Sequence, residues 1–244
     1  MIHTAGRASF KSLLTQEGPE GQFVHIDPPF SFNAPAVAKY TPEVTGRFLL
    51  YSLCRRLGWS SLTGKKLLDF GCGVRFARTI VNLAIDIDQY AGVDASAEAI
   101  SWLQSEVRDR RLRFEYLDML NPLYHASGKA AIDAGALHER GLAGFDAACM
   151  FSVITHQTPA DSALIFAMLH RCVKPGGGLY FTAFIDETVP GYVERDPALP
   201  GLLSTYHPDF LLELVSDAGW RVERTYLPEQ FQQAAIICRK PATD

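Results

Sequence analysis

The stretch Lys65-Lys66-Leu67-Leu68-Asp69-Phe70-Gly71-Cys72-Gly73-Val74-Arg75-Phe76-Ala77-Arg78 constrains this chain more than any other. A short apolar run stops at an acid and enters a glycine pair. Phe76, Ala77, Ile80 and Val81 then recur as one face of a helix. Strand, glycine turn and helix in that order bring backbone N–H groups and a helix N-terminus to one ligand. Glycine belongs there because a Cβ would block close approach or a positive φ. A parallel strand ending in this way marks the mouth of an open α/β sheet.

A dinucleotide fingerprint needs glycines at the first, third and sixth positions of this turn. Gly71 and Gly73 supply two, but Phe76 stands at the sixth, which argues against a pyrophosphate cradle. The words Leu-Leu-Asp-Phe-Gly-Cys-Gly resemble motif I of the class I S-adenosylmethionine (SAM) methyltransferases, small-molecule type. That family often carries a further glycine near the position of Arg75, so this loop is a variant of the pattern.

The rest of the chain supplies the other words of the family in order. Thr41-Pro42-Glu43 opens a helix, with Thr41 as cap and proline in the first turn, and Gly58 closes it. Its expected apolar stripe is Val44, Phe48, Leu49, Leu53 and Leu57. Tyr90 to Asp94 reads as a second strand ending on an acid, the place from which a carboxylate accepts ribose hydroxyls in nucleotide folds. Ser96 caps the helix that follows. Leu112 to Leu117 alternates and ends at Asp118-Met119. The resemblance implies that Asp118 reaches the adenine amino group while Met119 packs on the ring. Phe145 to Phe151 is strand four. Thr158-Pro159-Ala160-Asp161 starts a helix that ends near Val-Lys-Pro-Gly-Gly, residues 173–177, and Leu179 to Phe184 is strand five. His207-Pro208 opens the last helix, with Phe210, Leu211, Leu214 and Val215 on one face. Arg221 to Tyr226 and Gln233 to Cys238 form a terminal hairpin, so one of them runs antiparallel.

The resemblance covers about residues 41–240. It implies an α/β fold, a doubly wound seven-stranded mostly parallel sheet of order 3-2-1-4-5-7-6 with the last strand antiparallel. We expect residues 1–40 to form an irregular arm or lid anchored by Phe23, Phe30, Phe32 and Tyr40. Residues 41–244 form the catalytic domain, with insertions at 119–144, including a helix through Ala130 to Leu137, and at 185–206, a proline- and glycine-rich loop. Asp27-Pro28-Pro29-Phe30 matches a tetrapeptide of nucleic-acid amino-methyltransferases, but the fourth-strand slot it needs is filled by residues 145–151.

SAM as cofactor, with S-adenosylhomocysteine as product, follows from the family. Its contacts are assigned to Asp69, Gly71, Cys72, Gly73, Asp94, Ala95, Asp118, Met119, Phe151 and Ser152, with Arg75 and Arg78 as candidates for the carboxylate of SAM. Methyl transfer is a direct in-line displacement in which positioning supplies much of the rate. Transfer to a hydroxyl also needs a base, and His156, just past strand four, is the candidate. Its bland alternative is a residue that orders the start of the next helix. Asp186, Glu187 and His207 border the acceptor loop without metal-ligand spacing.

Composition narrows the partners. A formal net charge of -4 offers no electrostatic footprint for nucleic acid, so a small-molecule acceptor is expected. No apolar run is long enough for a membrane helix. Five sparse cysteines fit reduced thiols and the cytoplasm. Two rival readings remain: a SAM-binding module without turnover, and an NAD(P)-dependent reductase.

Overall fold

The computed structural model describes residues 16–17, 23–28, 40–119, 128, 132–194, 203–227 and 233–242. In chain order these form β1 (Gln16–Glu17), β2 (Phe23–Val24), α1 (Pro42–Leu57), β3 (Lys66–Phe70), α2 (Arg75–Asn82), β4 (Gln89–Asp94) and α3 (Ala97–Glu106). There follow β5 (Leu112–Tyr116), β6 (Phe145–Met150), α4 (Pro159–Cys172), β7 (Val173–Ile185), β8 (Tyr192–Glu194), β9 (Ser204–Tyr206), α5 (Pro208–Asp217), β10 (Arg221–Tyr226) and β11 (Ala234–Arg239).

The main sheet runs β5-β4-β3-β6-β7-β11-β10. Numbered as strands one to seven in chain order, that is 3-2-1-4-5-7-6, as expected. β3, β4, β5, β6 and β7 pair in parallel, while β11 is antiparallel to both β7 and β10. Parallel strands are covered on both faces, and two cores result. α1, α2 and α3 bury Leu53, Ile80 and Leu103 on one face. α4 and α5 bury Phe166, Leu169, Leu211 and Val215 on the other.

Caps set the helix starts as the sequence predicts. The hydroxyls of Thr41, Ser96 and Thr158 accept N–H bonds three residues on, and His207 caps α5 through its ring nitrogen. The stripe of α1 differs from expectation. Val44 and Phe48 are about half exposed, and the buried face is Glu43, Gly46, Leu50, Leu53, Cys54 and Leu57. The cause is Gly46: a Cβ there would stand 2.0 Å from Thr79 Oγ1 on α2. The two helices therefore meet at backbone distance and turn α1 about its axis.

Three further expectations are corrected. Strand five begins at Val173, before its glycine run. Phe145 pairs with Val173 and Ala147 with Gly178, so the ladder starts early and shifts register across the glycines. Residues 185–206 are not a plain loop, because β8 and β9 pair antiparallel and β9 continues in parallel beside the end of β7. The described part of the 119–144 insertion, from Ile132, forms successive turns and no helix, with Leu137 and Leu142 fully buried. Ala130 and Ala131 lie outside the described residues.

Near the N-terminus, Tyr40 is half exposed and is no core anchor. Ile26 takes that part. It is 4% exposed, and its N–H and C=O both bond the Asn82 amide at 2.9 Å. Phe30, Phe32 and the second half of Asp-Pro-Pro-Phe lie outside the described residues. Asp27, from the same tetrapeptide, pairs with Arg78 at 2.8 Å.

Candidate functional site

All the predicted site residues sit at or beyond the carboxyl ends of β3, β4, β5 and β6, along one edge of the sheet. The loop after β3 is built on β4. The N–H groups of Gly71 and Cys72 both donate to the Val93 carbonyl, at 2.8 and 3.1 Å. Gly71 and Gly73 adopt φ of +76° and +48°, values that L side chains rarely adopt. A Cβ on Gly71 would also strike Val153 at 2.4 Å, whereas the corresponding position on Gly73 has nothing within 4 Å. One glycine is required by the neighbouring loop, and the other faces open space.

Asp94 closes the same turn. Its carboxylate accepts the Gly73 N–H and the Ser96 N–H, both at 2.8 Å. Burial pushes its pKa above the usual range, against backbone bonds from Gly73, Ser96 and Ala95 that pull it down. Two oxygens offer about four acceptor places, so room remains for a ribose hydroxyl beside these bonds. The Asp94 carbonyl takes the Leu117 N–H at 3.0 Å, which ties the end of β5 to the same corner. Asp118 accepts from Tyr116 Oη at 3.3 Å, and Met119 is 7% exposed.

Arg75 is the first residue of α2, where helical φ needs no glycine, and this explains how the variant loop is accommodated. Val74 at the cap makes no side-chain bond to the helix. Its first N–H groups are thus not satisfied by a side-chain cap, the arrangement that suits a carboxylate. Arg78 is not available for that task. It is committed to Glu43 and Asp27. Burial raises the Glu43 carboxyl, but bonds from Arg78 and Asn82 outweigh it and leave the pKa low.

Asp69 is placed differently from its predicted neighbours. It is 3% exposed, under the loop, with Tyr90 Oη donating to one oxygen at 2.7 Å and Cys149 Sγ to the other at 3.4 Å. Cys72 is equally buried, and its thiol lies against the Gly73 carbonyl at 3.3 Å. Phe151 packs edge-on against Phe76, with centroids 5.3 Å apart, and against Tyr180 at 4.9 Å.

Ser152 turns toward the other half of the mouth. At φ +59° it donates its N–H to Thr182 Oγ1 at 2.8 Å, and its hydroxyl bonds Gln233. These bonds join the ends of β6 and β7 to the residue before β11. His156 closes a single helical turn, Ile154–His156, held by Thr155 Oγ1 donating to the Ser152 carbonyl at 2.7 Å. The next carbonyl, Gln157, accepts from Tyr206 Oη on β9 at 2.7 Å. Asp186 accepts from the N–H and hydroxyl of Thr188, and His207 is occupied as a cap. Sequence reasoning missed Tyr90, Cys149, Thr182, Tyr206 and Gln233, since each acts across the sheet at a separation that no local pattern carries.

A family model described as a methyltransferase domain matches residues 45–225. The chain belongs to that family. This methyltransferase uses SAM, with S-adenosylhomocysteine as product. The open space at Gly73, the remaining acceptor place of Asp94 and the uncapped start of α2 fit that cofactor. Three solved structures share the fold. A Burkholderia thailandensis 1,6-didemethyltoxoflavin-N1-methyltransferase is 18% identical, with TM-score 0.54 over 89% of this chain and 94% of that one. A Synechocystis PCC 6803 magnesium protoporphyrin IX methyltransferase is 13% identical, with TM-score 0.51 over 81% and 79%. A Mesorhizobium loti SAM-dependent methyltransferase is 15% identical, with TM-score 0.51 over 78% and 96%.

Proposed function

We propose that this methyltransferase modifies a small-molecule acceptor, at a hydroxyl oxygen in preference to other atoms, with His156 as general base. When bound, SAM supplies an electrophilic methyl group. Backbone of Gly71, Cys72 and Gly73 lies along its methionine part, Asp94 with Ala95 holds the ribose, and Asp118 and Met119 take the adenine. Phe151 and Ser152 border the methyl. Asp69 and Cys72 act through the loop's underside rather than by contact.

The observation that carries the acceptor reading is the bond from Tyr206 to the Gln157 carbonyl. It fastens the β8–β9 pair, which lies beside the end of β7, to the residue that follows the turn bearing His156. A mouth built in this way suits a compact acceptor better than a polymer. Two of the related structures are named for small-molecule acceptors, which supports the same choice. We assign residues 1–40 as an arm over the domain formed by 41–244, with 119–144 and 185–206 as insertions bordering the mouth. Five free, buried cysteines accord with a reducing compartment, the cytoplasm.

The test measures S-adenosylhomocysteine release against a panel of phenols, alcohols, amines and carboxylic acids. His156→Ala should lower turnover roughly 10²–10⁴-fold with SAM affinity nearly unchanged. The wild-type rate should fall at acid pH, because a protonated imidazole cannot take the acceptor proton. Near-normal turnover per folded molecule in the variant, checked beside a thermal melt, would remove the base and leave positioning alone.

A further inference from the structure

Asp69 is a nearly buried acid whose two hydrogen bonds both come from neutral donors. Tyr90 reaches it from β4 and Cys149 from β6. Among the described residues no ion pair joins Asp69 to a cation. The charged and titratable groups around it are mixed. Arg75 on α2 favours its ionised form, Asp94 at the end of β4 opposes it, and the buried Cys72 thiol lies in the loop above. A carboxylate at this depth without a cation bonded to it is strongly disfavoured, whereas the neutral acid can reverse the short bond and donate its O–H to the Tyr90 hydroxyl oxygen. Burial accordingly pushes the carboxyl up to about 7, against the pull of Tyr90 and Cys149.

The glycine loop begins two residues after Asp69, and the acid lies buried beneath it at 3% exposure. SAM carries a sulfonium, an ammonium and a carboxylate, and is net positive through the sulfonium. Positive charge brought into that loop favours the ionised form of the acid beneath it.

We propose that Asp69 reads the charge of the cofactor: its carboxyl is protonated in the free protein and gives its proton to solvent as SAM binds. The O–H bond of the carboxyl breaks, the proton passes to buffer, and the carboxylate then accepts from both Tyr90 and Cys149. S-adenosylhomocysteine lacks the sulfonium charge and releases less. SAM affinity therefore falls as pH drops below about 7, approaching tenfold per pH unit for one linked proton. Asp69 is thus a positioning and discriminating residue that favours substrate over product, and the proposal rests on SAM being the cofactor.

Titration calorimetry of SAM at pH 6.5, in phosphate and in imidazole buffer, tests it. The apparent binding enthalpy should differ between the buffers by a large fraction of one proton's ionisation heat, and S-adenosylhomocysteine should give a smaller difference. Asp69→Asn should abolish the difference. Tyr90→Phe removes a donor to the ionised form and should move the affinity loss to higher pH. Should Asp69→Asn not fold, carbon-13 titration of the wild-type aspartate carboxyls decides. The Asp69 signal, assigned through its own backbone amide, should titrate near neutrality in the free protein and lower when SAM is added. Equal enthalpies in both buffers, release that persists in Asp69→Asn, or a carboxyl that SAM leaves unmoved would each overturn the proposal. Failure of SAM to bind at all would overturn the cofactor assignment itself.

Discussion

At the scale of single residues, two carboxylates close together in the sheet have opposite tasks. Asp94 accepts backbone N–H bonds that favour its ionised form against the upward push of burial, and it retains room for a hydroxyl. Asp94→Ala should weaken SAM binding by about 1.5–3 kcal/mol, the cost of losing charge-assisted bonds, as read by calorimetry. Asp69 is held by a phenol and a thiol, and its folded pKa of about 7 lies above the 3.8 of an unfolded aspartate. The native state thus binds more protons than the unfolded chain across that window, and stability contributed by Asp69 declines as pH rises from about 4 to about 7. Asp69→Asn removes this dependence. The melting temperature of the wild type should fall relative to that variant between pH 5 and pH 8. Parallel melting curves would refute the assignment of Asp69 as a proton-binding acid.

Elements here are positioned by a few close approaches. α1 and α2 touch at Gly46, where any Cβ meets Thr79, and Thr79 also donates to the Pro42 and Arg75 carbonyls. Gly46→Val should destabilise by about 1–3 kcal/mol through overpacking, in spite of valine's better helix propensity. Urea unfolding of the variant measures it, and a neutral result would mean that α1 can move aside. On the opposite core, Tyr206 joins β9 to α4 through Ser162 at 2.9 Å and to the Gln157 carbonyl at 2.7 Å. Tyr206→Phe leaves a buried carbonyl unpaired and should cost about 1–3 kcal/mol. If β9 orders the His156 turn, turnover should fall further than the melt accounts for.

For the whole molecule, the question is which nucleotide the sheet edge accepts. The hairpin of β10 and β11 completes the methyltransferase sheet, and Phe76 occupies the place where a dinucleotide fold needs its third glycine. SAM should therefore raise the melting temperature by mass action, while NAD and NADP should not. A shift with a dinucleotide and none with SAM would contradict the cofactor assignment. Among the described residues no helix is long and apolar enough to cross a membrane.

Local physics was legible in the chain itself: where strands stop, where Thr41, Ser96 and Thr158 cap helices, and which glycines turn beside a ligand. Each of these depends on residues within a few positions of one another, so periodicity and spacing carry it. The motif order conveyed even the strand order, through resemblance. Tertiary structure alone decided what lies across the sheet. Tyr90 and Cys149 meet Asp69 from 21 and 80 residues away. Gln233 meets Ser152 from 81 away, and Gly46 turns the stripe of α1 by meeting Thr79. Depth of burial and the donors that reach each carboxyl, not residue type, separate Asp69 from Asp94. Burial is a property of the assembled layers, which no single stretch of this sequence contains.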